Sequence, residues 1–88
     1  AITIALSKEF SGRNIRINSI LPGIVETEGS HSAGFIGSEA EANFVSKTPL
    51  GSTGQPDDIA KVAVFLASDD AAWITGEKIT VGGGIYGF

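Results

Sequence analysis

The chain contains no cysteine. That excludes a disulfide framework, a thiolate zinc site and a cysteine nucleophile, and it fits a reducing, cytoplasmic setting. Positive charge is also scarce: Lys8, Arg13, Arg16, Lys47, Lys61 and Lys78 are scattered, and the net charge is -4. No basic stripe is available to neutralise a phosphate backbone, so no nucleic-acid partner is expected. No apolar run approaches the roughly 18 residues of a membrane span, and no charged segment leads into a short apolar core as in a signal peptide. No membrane partner is expected either. A single histidine, His31, lies in a glycine- and serine-rich stretch without an identifiable companion, which favours a solvated loop side chain over a metal ligand or proton carrier. No metal-ligating residues are therefore assigned.

What remains is a chain of 88 residues, 42% of them hydrophobic, with 12 glycines. This length holds one unit and no second domain. A domain of this size buries only about 60% of its unfolded surface, near the lower end of self-sufficiency.

Apolar periodicity predicts a helix over residues 1–11, with Ile2, Ala5, Leu6 and Phe10 on one face and Gly12 as its stop. The β-rich run at 15–21 predicts a strand halted by Pro22-Gly23. Residues 28–37 hold three glycines and two serines and are expected to form a loop. Ser38 and Glu41 fit a capping box that opens a helix to about Lys47. Pro56 suits the first position of a further helix, with Asp57 and Asp58 at its positive end. Ile59, Val62, Ala63 and Leu66 form one stripe there, and Val64 and Phe65 widen it. Such a helix is expected to pack on more than one side. A second strand is expected at residues 78–81. Two strands joined through helices should run parallel in a sheet covered on both faces, an α/β arrangement.

Several features invite chemistry and carry little. Gly82, Gly84 and Gly87 match a phosphate-binding glycine pattern, but that pattern requires a following helix whose N-terminus meets the phosphate. Asp57/Asp58 and Asp69/Asp70 are adjacent pairs, and adjacent helix residues do not face each other. Helix-end electrostatics explains the first and a helix stop the second. Glu26 and Glu28 have no evident histidine or lysine partner. Phe65 and Trp73 read as packing residues.

Three segments, taken together and in order, resemble the short-chain dehydrogenase/reductase family. They are Gly12 to Thr27 (GRNIRINSILPGIVET), Pro49-Leu50-Gly51 leading through Gly54-Gln55-Pro56-Asp57-Asp58-Ile59-Ala60 to Asp69, and Ile74 to Gly84 (ITGEKITVGGG). The resemblance implies the C-terminal portion of a Rossmann-like doubly wound parallel sheet: its last two strands plus flanking helices, spanning 1–88. It implies that residues 1–11 end the helix that begins with the family's Tyr-x-x-x-Lys pair. That pair, the catalytic serine and the N-terminal glycine-rich nucleotide turn are not in this sequence. Tyr86 has no lysine four residues on, so no catalytic residue is assigned.

In an open α/β sheet, ligands bind beyond the carboxyl ends of the strands, where Pro22-Gly23-Ile24-Val25-Glu26-Thr27 begins. A carboxamide offers two donors and an acceptor, which one extended residue can match with its own N–H and C=O. The resemblance places Val25 in that role against a nicotinamide and adds the Thr27 hydroxyl. Pro22, Gly23, Ile24, Val25 and Thr27 are the expected cofactor-binding residues, and 28–37 is the expected substrate-covering segment. NAD or NADP is implied for a complete parent that interconverts a carbonyl and an alcohol; little cofactor binding is expected of this chain alone. A homodimer or homotetramer is implied, held by helix 1–11 and by the tail from Ile79 to Phe88. A self-associating structural module that keeps the same end of the fold is the alternative. Within the matched segments, Ser52 replaces an arginine common after Leu-Gly, and Gly82 replaces the aspartate of a Val-Asp-Gly-Gly ending.

Overall fold

The computed structural model describes residues 2–85. Helix α1 (Ile2–Phe10) runs into a 3-10 turn at Ser11–Arg13, and strand β1 (Ser19–Pro22) follows. Three helices come next: α2 (Glu28–Ser32), α3 (Glu39–Lys47) and α4 (Pro56–Ala67). A 3-10 turn at Asp69–Ala71 leads to strand β2 (Lys78–Val81). The two strands pair in parallel, with Ser19 opposite Lys78 and Pro22 opposite Val81. This is the parallel pairing expected of strands separated by helices. Tyr86, Gly87 and Phe88, which include the last glycine of the phosphate-like pattern and the end of the expected association tail, lie outside the described residues.

β1 starts four residues later than the β-rich run suggested. Ile17 already faces the approach to β2, but its N–H donates to the Thr75 hydroxyl at 3.1 Å and its C=O accepts from Gly76 N–H at 2.7 Å. Gly76 is at φ +73° in a turn, so regular pairing cannot begin until Ser19 N–H meets the Glu77 carbonyl at 2.9 Å. Pro22 does not stop the ladder either; it is the last paired residue, and Gly23 N–H still donates to Val81 O at 2.9 Å. Ser19 and Gly23 point their N–H groups at β2. The period of two then puts the nitrogens of Ile20 and Pro22 on the other edge, where the missing proline donor costs no bond with β2.

Side chains lock this strand to the crossover behind it. Arg16 Nη1 donates to Leu66 O at 2.8 Å, a carbonyl at the end of α4 without a backbone partner among the described residues, and Nη2 donates to Ser68 O at 3.2 Å, which also accepts from Ala71 N–H at 3.1 Å. Asn18 donates to Ile74 O at 3.0 Å and accepts from Glu77 N–H at 3.1 Å. α1 approaches from the other direction through Ser7, which is buried; a Cβ on Gly76 would lie 2.7 Å from Ser7 Oγ.

The expectation that α4 packs on more than one side does not hold. Ile59, Val62 and Leu66 are half-buried, but Val64 is 70% exposed and Phe65 44% exposed. Among the described residues the sheet has only two strands. Ala71 is the only fully buried apolar residue described. The radius of gyration is 15.6 Å, against roughly 12 Å for a compact domain of this length.

Candidate cofactor edge

Beyond the carboxyl end of β1 the chain turns close to β2. A Cβ on Gly23 would lie 2.7 Å from Gly82 Cα, so glycine is what lets the two strand ends converge. Ile24 and Glu26 then bond across to the loop before α4. Gly54 N–H donates to Ile24 O at 2.8 Å, and Glu26 N–H donates to Gly54 O at 2.9 Å. Val25 sits between them as an isolated parallel bridge partner of Gly54. Because both of its neighbours spend their groups on Gly54, Val25 turns its own N–H and C=O the opposite way. Among the described residues neither group has a backbone partner. An extended residue presenting one free donor and one free acceptor side by side suits a carboxamide.

Thr27 has a structural duty that sequence reasoning did not foresee. It is the N-cap of α2: Thr27 Oγ1 accepts from Ser30 N–H at 3.1 Å, and Ser30 Oγ accepts from Thr27 N–H at 2.8 Å. The expected loop at 28–37 is therefore helical over its first five residues and turns only from Ala33 onward. The Ser-Gly-rich composition concealed this, because the stabilisation comes from the cap and not from intrinsic propensity. The Thr27 hydroxyl accepts that one bond, and its own hydrogen meets only a long contact to Ser30 Oγ at 3.5 Å.

Glu26 gathers the surrounding segments. Its Oε1 lies 2.7 Å from His31 Nε2 on α2, and its Oε2 accepts from Gln55 Nε2 at 2.9 Å at the head of α4. The Gln55 bond, then the His31 bond, hold the Glu26 carboxyl below the usual carboxylate value. His31 and Glu26, each without an evident partner in the sequence, are thus partners of one another. The signal was a carboxylate five residues before a histidine with a helix cap between them.

Most of the remaining acidic groups stand in the first turns of helices. Asp58 Oδ2 accepts from Gln55 N–H at 2.7 Å, and Asp57 pairs with Lys61 at 3.1 Å in the open. The capping box at Ser38 forms by half: Ser38 Oγ accepts from Glu41 N–H at 3.2 Å, while Glu41 Oε1 turns to Gly37 N–H at 3.0 Å. Phe35 and Phe44 meet at 6.0 Å between ring centroids, fastening the turn after α2 to α3. Ile24, Val25, Phe44, Leu50, Ile59 and Val81 line a cleft of about 430 Å3 at the carboxyl ends of the strands.

The family model described as enoyl-(acyl carrier protein) reductase matches residues 1–86. The chain belongs to the short-chain dehydrogenase/reductase family. It is 58% identical over 85 residues to an uncharacterized oxidoreductase of Methylorubrum extorquens, covering 97% of this chain and 34% of that protein. It is 38% identical over 84 residues to the 3-oxoacyl-[acyl-carrier-protein] reductase of Thermotoga maritima, covering 96% of this chain and 33% of that one. A 4-hydroxyisoleucine dehydrogenase mutant complexed with NADH and succinate superposes with a TM-score of 0.89 at 33% identity, over 99% of this chain and 35% of the other. The chain therefore spans about a third of the length of the curated relatives it matches. Its two parallel strands and flanking helices form part of a Rossmann-like fold in this short-chain dehydrogenase/reductase. No helix among the described residues is long and apolar enough to cross a membrane.

Proposed function

We propose that this chain forms the C-terminal part of an NAD(P)-dependent oxidoreductase that interconverts a carbonyl and an alcohol, and that Pro22 to Thr27 form its nicotinamide edge. The observation that carries the reading is the pair of backbone groups on Val25 that have no partner among the described residues. Bound there, a nicotinamide supplies or accepts the hydride. Val25 N–H would donate to the carboxamide oxygen and Val25 C=O would accept from its nitrogen, which would fix the ring's orientation. The Thr27 hydroxyl would donate to the carboxamide or a phosphate oxygen in place of its long contact to Ser30 Oγ. Pro22, Gly23 and Ile24 bring this edge into place by the close approach of Gly23 to Gly82 and the Ile24–Gly54 bond.

Among the described residues nothing is placed to deliver a proton to a carbonyl oxygen, which supports assigning the acid and its supporting residues to the remainder of the oxidoreductase. By itself the chain is inactive and binds cofactor poorly. The substrate class is a small carbonyl or alcohol, and the groups that read a 2'-phosphate, and hence choose NAD or NADP, belong to other strands. The test is turnover of NADH or NADPH with a panel of ketones, monitored at the nicotinamide absorbance band. The 88-residue chain should leave the band unchanged, and the complete oxidoreductase should bleach it. Turnover by the chain alone that survives repurification and scales with protein contradicts the reading.

A second reading, a self-associating module, draws on the exposed apolar surface. Ile2 is 76% exposed, Val64 70% and Trp73 99%. With β1 open on its Ile20 edge, this surface needs a cover. A homodimer or homotetramer through α1 and the segment from Ile79 onward would supply it, and sedimentation at micromolar concentration would show a dilution-stable monomer if it does not.

A further inference from the structure

We propose that Glu26 is a positioning residue that straps α2 to the fixed head of α4 and so sets where Val25 and Thr27 stand; the ligand consequence rests on the nicotinamide reading of this edge. Each oxygen of its carboxylate is committed to a different element. Oε1 holds His31 on α2 at 2.7 Å, and Oε2 holds Gln55 at 2.9 Å, one residue ahead of α4. The backbone of the same residue donates to Gly54 at 2.9 Å, so Glu26 is itself anchored to the loop it pulls against.

The geometry needs such a strap. α2 is a single short helix whose internal support is the Thr27 cap and a few backbone bonds, including His31 N–H to Thr27 O at 3.1 Å and Ala33 N–H to Gly29 O at 3.0 Å. A helix of five residues is far below the length that is stable unaided. Glu28, Gly29, His31 and Ser32 are exposed, and Ser30 is only half-buried, so α2 is not held by core packing. Thr27 belongs to α2 as its cap and to the ligand edge as a donor. If α2 lifts, the hydroxyl that caps it swings as well. The Glu26–His31 bond therefore fixes the Thr27 hydroxyl without Glu26 having to touch the ligand. A carboxylate is suited to this work because its two oxygens can accept from two donors at once, which neither an amide nor a hydroxyl does with equal strength.

Amide hydrogen exchange at His31 and Ala33 in the complete oxidoreductase, without cofactor, tests the strap directly. Glu26→Ala and His31→Ala should each speed exchange there by about 3- to 10-fold, and the double variant should add little, because the two residues make one contact. Glu26→Gln keeps one acceptor oxygen and should fall between. In steady state, Glu26→Ala should raise the nicotinamide KM by a similar factor and leave kcat within about twofold, as expected when a bond made equally in ground and transition states is weakened. Unchanged exchange in Glu26→Ala, or fully additive effects in the double variant, overturns the strap. Faster exchange with an unchanged KM overturns its role in positioning the edge. If the unmodified protein turns over no nicotinamide at all, the functional reading fails separately, and the exchange rates still decide whether Glu26 holds α2.

Discussion

Gly23 and Gly82 approach so closely at the ends of β1 and β2 that a single added methyl on Gly23 would stand 2.7 Å from the Gly82 Cα. The atom it would strike is backbone, which cannot rotate out of the way as a side chain could. Gly23→Ala should therefore destabilise the complete oxidoreductase by about 1–3 kcal/mol, the usual cost of overpacking. It should also displace the Val25 edge. Chemical denaturation midpoints measure the first effect and nicotinamide KM the second; a variant equal to the unmodified protein in both would show that the strand ends part freely.

Arg16 fastens the other end of the same strand by bonding the Leu66 and Ser68 carbonyls. Arg16→Ala removes charge-assisted bonds from both carbonyls and leaves that of Leu66 without a partner among the described residues, and should cost about 1.5–3 kcal/mol in stability. Arg16→Lys should recover only part of it, because an ammonium cannot span two carbonyls as the planar guanidinium does. Full rescue by lysine, read from the same denaturation midpoints, would show that charge alone holds α4 to β1.

The Glu26 carboxyl titrates below the usual carboxylate range because Gln55 and then His31 hydrogen-bond its ionised form. A folded-state value below the unfolded one means the group stabilises the fold above the unfolded value and loses that contribution as pH falls through the lowered one. The difference in thermal midpoint between the unmodified protein and Glu26→Gln should thus be present near neutral pH and shrink in acid below the ordinary carboxylate range. A difference that grows on acidification would have the wrong sign for this account.

Much of this architecture was legible because local chemistry announces it. Pro56 with Asp57 and Asp58 marked the start of α4, Ser38 and Glu41 marked α3, and the run 78–81 marked β2 at its observed limits. The boundaries of β1 were not legible, since they depend on a turn at Gly76 some sixty positions later in the chain. α2 was hidden by glycine and serine, whose weak propensity is overridden by the Thr27 cap. The packing of α4 was over-read: a broad apolar stripe reports how many faces could be covered, and Val64 and Phe65 show that one of them is bare in this chain. Within the candidate site, the residues of the edge could be named from a resemblance. The link from Glu26 to His31 and Gln55 could not, because it joins side chains from three segments.

The central claim is that Val25 offers its N–H and C=O, and Thr27 its hydroxyl hydrogen, to the nicotinamide carboxamide. The most direct measurement is a nitrogen–proton correlation spectrum of the isotope-labelled complete oxidoreductase titrated with NADH or NADPH, paired with Thr27→Ala. The Val25 amide should shift saturably with cofactor. Thr27→Ala should weaken cofactor binding or turnover by an amount worth about 1 kcal/mol, with the fold intact. Saturable cofactor binding that leaves the Val25 amide unmoved, together with parental affinity and turnover in Thr27→Ala, would contradict the account.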